Sequence, residues 1–324
     1  MNRNQSLANA VLNEHVWALT PTAFEGMRGA IRSLEDGGTI DPDTSSAPYL
    51  AFEAGGRMQR ASYAGDARAT GGQAKAVAVI PIHGVIFPRG SNDLLRAFGG
   101  VSLQETMRVL RRAVADPGIG SVIGDFDTPG GMVAGVPEAA AAIRALRGRK
   151  PLVAIANFQM ASAGLFLGSQ FDSVVASPSS SIGSLGVVAQ YFSGARALEM
   201  EGLACQTMKF PHLKAEADGI APLSDEAVAY RMAQIKAAYD AFEEAVSLGR
   251  RRPRSLIAEH FGKGRSFDAS SALAVGMIDR IQTFDSLLAE HVSADFERVA
   301  TRRAAVRDAA MLAARWGLEP PAKH

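Results

Sequence analysis

Between residues 76 and 281, short apolar runs alternate with stretches of helical periodicity. The runs at 76–82, 121–126, 152–156, 173–176, 185–191 and 204–208 have the length and make-up of buried strands. Helices are predicted between them. Ser102 and Glu105 form a capping box, followed by an apolar stripe of Leu103, Met107, Leu110 and Val114. Further helices are predicted over 136–146, 162–168 and 195–201. A long one opens at Ser224, carries Asp225 and Glu226 in its first turn, and runs to about Gly249. Residues 267–281 read as helix then strand, and 292–318 as an Ala- and Arg-rich helix. Strands alternating with helices predict an α/β fold with a mostly parallel sheet. Upstream, residues 21–33 read as a helix, with Pro21 in the first turn and Thr20 as its cap. Residues 40–75 are rich in Gly, Ser, Thr, Ala and Asp and read as a flexible linker. The expected organisation is an N-terminal helical segment (1–39), a linker (40–75), the main domain (76–288) and a C-terminal helical tail (289–324).

Composition narrows the function classes. The chain has 324 residues, 47% hydrophobic and 21% charged, in the range of a soluble globular protein. A net charge of +1 provides no global attraction to nucleic acid or anionic membrane. The basic cluster 250–254 reads as a solvated helix end. The single cysteine, Cys205, excludes an internal disulfide and is expected as a small core residue. The polar start Met1-Asn2-Arg3-Asn4-Gln5 lacks the apolar core of a signal peptide. The most apolar stretch, 152–167, is interrupted by Asn157, Gln159 and Ser162, short of the roughly 18 residues a membrane span needs. The expectation is a cytoplasmic protein without membrane or nucleic-acid partners and without a metal or other cofactor.

Candidate chemistry centres on Ser162, in the run A-S-A-G that follows one predicted strand and opens a helix of small residues. A helix N-terminus offers free N–H groups and the positive dipole end where an oxyanion would form. Upstream, Asp127-Thr128-Pro129-Gly130-Gly131 is a tight turn whose glycines let backbone approach a substrate. Downstream lie Ser181-Ile182-Gly183-Ser184-Leu185-Gly186-Val187 and His212-Leu213-Lys214-Ala215. A serine hydroxyl needs a base. None of the six histidines has the setting of a Ser-His-Asp triad, and His83 reads as a loop or packing residue. A neutral lysine can serve instead. Lys214, in a polar loop after a predicted strand, is the favoured base, with Lys209 as runner-up.

Together, D-T-P-G-G, A-S-A-G, S-I-G-S-L-G-V and H-L-K-A-E-A-D-G resemble the signal peptide peptidase A family of Ser/Lys peptidases. The likeness is strongest to its phage branch of capsid-maturation (prohead) proteases. It runs from about Ala76 to Leu288, and Val16-Trp17-Ala18-Leu19 also resembles that branch. The resemblance implies a Clp-protease/crotonase-like fold and homo-oligomers. It implies Ser162 as nucleophile, Lys214 as general base and Ser184 as the lysine's hydrogen-bond partner, with the N–H groups of Gly131 and Ala163 forming the oxyanion hole. It also implies protein or peptide substrates, with capsid, portal or scaffold proteins as partners in head assembly. Thr128 and Ala163 stand where the family more often has serine and glycine. The membrane anchor of many bacterial members has no counterpart, and the C-terminal tail is short for a fused scaffolding domain. Alternative readings are a housekeeping cytoplasmic Ser/Lys peptidase, a Clp-like Ser-His-Asp enzyme, a crotonase-like acyl-CoA enzyme and a non-catalytic assembly protein.

Overall fold

The computed structural model describes residues 16–20, 23, 50–52, 58–60, 76–89 and 100–292. The strands are β1 (Trp17–Leu19), β2 (Leu50–Phe52), β3 (Met58–Arg60), β4 (Ala76–His83), β5 (Val85–Phe87), β6 (Gly100–Ser102), β7 (Ile119–Thr128), β8 (Gly130–Met132), β9 (Leu152–Ala161), β10 (Ser173–Ala176), β11 (Ser181–Gly183), β12 (Ser266–Asp268) and β13 (Arg280–Ile281). The helices are α1 (Leu103–Ala115), α2 (Val136–Leu146), α3 (Ala163–Gly168), α4 (Ala195–Met200), α5 (Asp225–Arg250), α6 (Arg254–His260), α7 (Ala269–Ala274) and α8 (Phe284–Val292).

The larger sheet is mostly parallel, as the alternation of elements predicts. Its path is β12-β11-β9-β7-β4-β2-β3. The central pairs β4–β7 and β7–β9 are parallel, while β2 and β12 join antiparallel at the two sides. Strand β9 carries two neighbours in succession: its first half pairs with β10 and its last residues with β11. A register shift after Phe126 marks the break between the halves. A smaller sheet, β1-β8-β5-β6, sits over the ends of these strands.

Strand alternation sends side chains to two faces, and both are covered. On one face Ala78, Ile80, Ile82, Val122, Phe126 and Ala156 pack under helices α1, α2, α3 and α5. Phe166 of α3 stacks on Phe242 of α5 at 4.6 Å, a contact worth about 0.5–1.5 kcal/mol beyond burial. On the other face Val77, Val79, Ile123, Val153 and Ile155 pack against Leu287 of α8. The predicted caps form. Ser102 Oγ accepts the Glu105 N–H at 3.4 Å, and Ser224 Oγ accepts that of Ala227 at 3.2 Å. Thr20 Oγ1 accepts the Ala23 N–H at 3.2 Å.

Three expectations differ from the structure. Residues 185–191 form no strand, only a single bridge from Val188 to Trp17. Residues 204–208 are exposed chain without regular structure, so Cys205 is exposed and not a core residue. Among the described residues no sheet covers this stretch: Met208 is 92% exposed, and Phe210 just beyond it 94%. Within residues 40–75, read from composition as a linker, β2 and β3 extend the large sheet beyond β4. The rest of that stretch, most of the 21–33 helix and the tail beyond 292 lie outside the described residues.

Candidate active site

Strand β9 ends at Ala161 and the chain turns sharply into α3. Ser162 makes that turn with φ 53° and ψ −115°, a conformation costing about 1–3 kcal/mol for a residue with a Cβ. Its N–H donates to Gly183 O at 2.8 Å, and its hydroxyl donates to Gly186 O at 3.3 Å. Ser162 is fully buried. The neighbouring strand ends the same way. Ala161 pairs with Gly183, and the next residue, Ser184, also has φ 53°. The two serines therefore leave adjacent parallel strands side by side. Ser184 is braced from β12's side, where its N–H donates to Arg265 O at 2.8 Å.

The small residues of A-S-A-G permit close packing. A Cβ on Gly164 would lie 2.5 Å from Thr128 Cγ2. Thr128 in turn fixes the glycine turn: its hydroxyl donates to Gly84 O at 2.6 Å and accepts the Gly130 N–H at 3.1 Å. Gly130 has φ 106°, open only to glycine at low cost, and a Cβ there would lie 2.9 Å from Ser162 Cβ. Gly131 follows in β8. Ala163 is the first residue of α3, so its N–H is one of those a helix start leaves without an intrahelical partner. Ser162, Ser184, Gly131 and Ala163 are thus brought together.

Lys214 is not brought to them. It lies in the exposed stretch 203–215, and its side chain makes no hydrogen bond to either serine. Lys209 and His212 are exposed in the same stretch.

Sequence reasoning missed a histidine–carboxylate pair. His83 Nε2 lies 3.1 Å from Asp125 Oδ2, and this hydrogen bond holds the imidazole pKa above its ordinary value. Burial pushes the nearby Asp127 carboxyl up. Period-two spacing of His83 with Val79 and of Asp125 with Ile123 was the available signal. It sets the pair on the α8 face of the sheet, opposite α3, with Asp125 on β7 beside β9 and His83 one strand further away on β4. His83 makes no hydrogen bond to Ser162, whose hydroxyl donates to Gly186 O. Among the described residues no group of three or more His, Cys, Asp or Glu side chains is arranged to hold a metal ion. No described helix is long and apolar enough to cross a membrane.

Residues 144–294 match the model of peptidase family S49. The matched stretch is just under half of the chain. The glycine turn at Gly130 and Gly131 precedes the matched stretch, while both serines and Lys214 fall inside it. The chain is 28% identical over 172 residues to capsid assembly protease C of Escherichia phage lambda, covering 53% of this chain and 39% of that protein. It is 28% identical over 206 residues to head-tail preconnector protein GP5 of Enterobacteria phage P21, covering 63% and 40%. Protease 4 of Haemophilus influenzae is 25% identical over 217 residues, covering 64% and 33%. The chain therefore spans about two fifths or less of these relatives' lengths. Among solved structures, the ClpP protease catalytic domain from Plasmodium falciparum aligns with a TM-score of 0.36 and 11% identity, over 56% of this chain and 77% of that one.

Proposed function

We propose that this chain is a family S49 peptidase that hydrolyses peptide bonds by serine chemistry. The observation carrying this reading is the meeting of a strained, buried serine at a helix start with the Gly130-Gly131 strand. Ser162 Oγ attacks the scissile carbonyl, and the neutral amine of Lys214 takes its proton. Ser184 holds that amine in place. The N–H groups of Gly131 and Ala163 stabilise the tetrahedral oxyanion, each worth about 10²–10³ in rate. Lys214 passes the Ser162 proton to the departing amine as the C–N bond breaks, leaving an acyl-enzyme; water then attacks, its proton taken by Lys214 and returned to Ser162 Oγ as the acid leaves. Neither metal nor cofactor takes part.

Lys214 reaches the serines only when its stretch docks, and assembly of several copies supplies the docking. Two exposed side chains nearby, Met208 and Phe210, support this, since monomers seldom leave such groups bare. The substrates are scaffold or head proteins of a phage capsid, acted on in the host cytoplasm. Support comes from two phage relatives named for capsid assembly and the head-tail preconnector. The Ser-His-Asp alternative lacks its serine–histidine link: the Ser162 hydroxyl donates to Gly186 O, and the His83–Asp125 pair makes no hydrogen bond to it.

The test is cleavage of head and scaffold proteins encoded with this chain. Ser162→Ala and Lys214→Met are expected to abolish it, and Lys209→Met to retain it. Cleavage by well-folded Ser162→Ala would overturn the nucleophile, and cleavage by Lys214→Met the base.

A further inference from the structure

The chain's own segment 16–20 lies across the candidate active site as an added strand. It pairs antiparallel with β8, in the register Trp17 with Met132, Ala18 with Gly131 and Leu19 with Gly130. Its other edge meets the chain just beyond Ser184. Trp17 N–H donates to Val188 O at 2.9 Å, and Val188 N–H donates to Trp17 O at 2.8 Å. A three-residue strand is thus gripped on both edges, between the glycine strand and the segment that accepts the Ser162 hydroxyl.

The register identifies the residue at the reacting position. Val133 N–H donates to Val16 O at 3.1 Å, and Thr20 N–H donates to Pro129 O at 3.0 Å. In an antiparallel ladder every second opposed pair exchanges hydrogen bonds, so Ala18 and Gly131, midway between those two, form such a pair. The Gly131 N–H, the candidate oxyanion donor, therefore faces the Ala18 carbonyl. A Cβ built on Gly130 would collide with that same carbonyl oxygen and lie 2.9 Å from Ser162 Cβ. The Ala18 carbonyl and the nucleophile thus border one point. Trp17 anchors the strand: it is fully buried, and its ring meets Phe87 edge-on at 6.4 Å. Ala18 is buried as well, so the position opposite Gly131 holds a small side chain.

We propose that the slot between β8 and Val188 binds an extended peptide with a small residue opposite Gly131, and that residues 16–20 are its resident internal ligand, which a substrate must displace. The proposal rests on Ser162 as nucleophile. Main-chain bonds to both edges supply affinity, as in other strand-addition sites, and the Trp17 and Ala18 positions supply selectivity. A resident strand lowers apparent substrate affinity by the fraction of molecules in which the slot is open.

Two full-chain variants release the strand: Trp17→Ala removes the anchor, and Ala18→Arg places an unpaired charge in a buried position. Amide exchange at Val133 and Val188 reports release, and a fluorophosphonate probe reports access to Ser162. The expected result is faster exchange at both amides and labelling accelerated about tenfold or more. Wild type labelled as fast as released variants would overturn the proposal alone. Absent labelling in every variant despite free exchange would overturn the nucleophile, and this proposal with it. A direct reading needs no release variant. The chain has two tryptophans, so Trp316→Phe leaves Trp17 as the only indole emitter. A peptidyl boronate with alanine beside boron should shift Trp17 emission to the red as the strand leaves. Bound boronate without that shift would overturn the proposal.

Discussion

Arg147 is the clamp behind helix α3, and its removal gives a calculable loss. Its guanidinium donates to four backbone carbonyls. Nη2 reaches Ser169 O at 2.9 Å, Phe171 O at 2.6 Å and Gly249 O at 2.9 Å, and Nε reaches Gln170 O at 2.7 Å. The first three of those residues in chain order, Ser169 to Phe171, close α3, and Gly249 is near the end of α5. One cation thus ties two helix ends where the dipole favours positive charge. Burial pushes the guanidinium pKa down to about 10, so the group remains charged at neutral pH. A hydrogen bond involving a charged group contributes about 1.5–3 kcal/mol. The four are not additive, because water reaches some of the abandoned carbonyls. Arg147→Ala is therefore expected to cost about 3–4 kcal/mol. Urea unfolding should show a midpoint lower by about 1–2 M with little change in slope. Arg147→Lys should recover less than half, since one ammonium nitrogen cannot span four carbonyls. A loss below about 1 kcal/mol, or full recovery by lysine, would refute the clamp.

His83 makes folding stability pH-dependent. Its folded pKa is raised by Asp125, so its contribution is fully present below the unfolded value of about 6.5 and is lost as pH rises through the folded value. The stability gap between wild type and Asp125→Asn should shrink from about pH 5.5 to about pH 8.5; a gap that widens would contradict the pairing. Gly164→Val is expected to destabilise by about 1–3 kcal/mol and to slow probe labelling of Ser162, because its side chain displaces Thr128. Unchanged melting and unchanged labelling would show that the close approach is not needed.

Much of the domain was legible in the chain itself. Period and caps located α1, α2 and α5, and apolar runs located β4, β7, β9 and β10, because burial of one stripe or of both strand faces is written directly into residue order. The glycines and small residues around Ser162 were legible for a similar reason: a positive φ at Gly130 and a backbone approach at Gly164 admit little else. Runs 185–191 and 204–208 misled. An apolar run states only that surface prefers burial, not what will cover it, and residues 204–208 find no cover among the described residues. Pairings between distant residues were beyond sequence reasoning. His83 and Asp125 are 42 residues apart and meet only because β4 and β7 lie in register. The strand Trp17–Leu19 is too short to carry a periodicity. Its place across Ser162 follows from β8 being a sheet edge with unpaired backbone groups, a property of the assembled sheet. Local residue chemistry determined which turns and helix starts this chain makes; three-dimensional strand order decided which of them face one another.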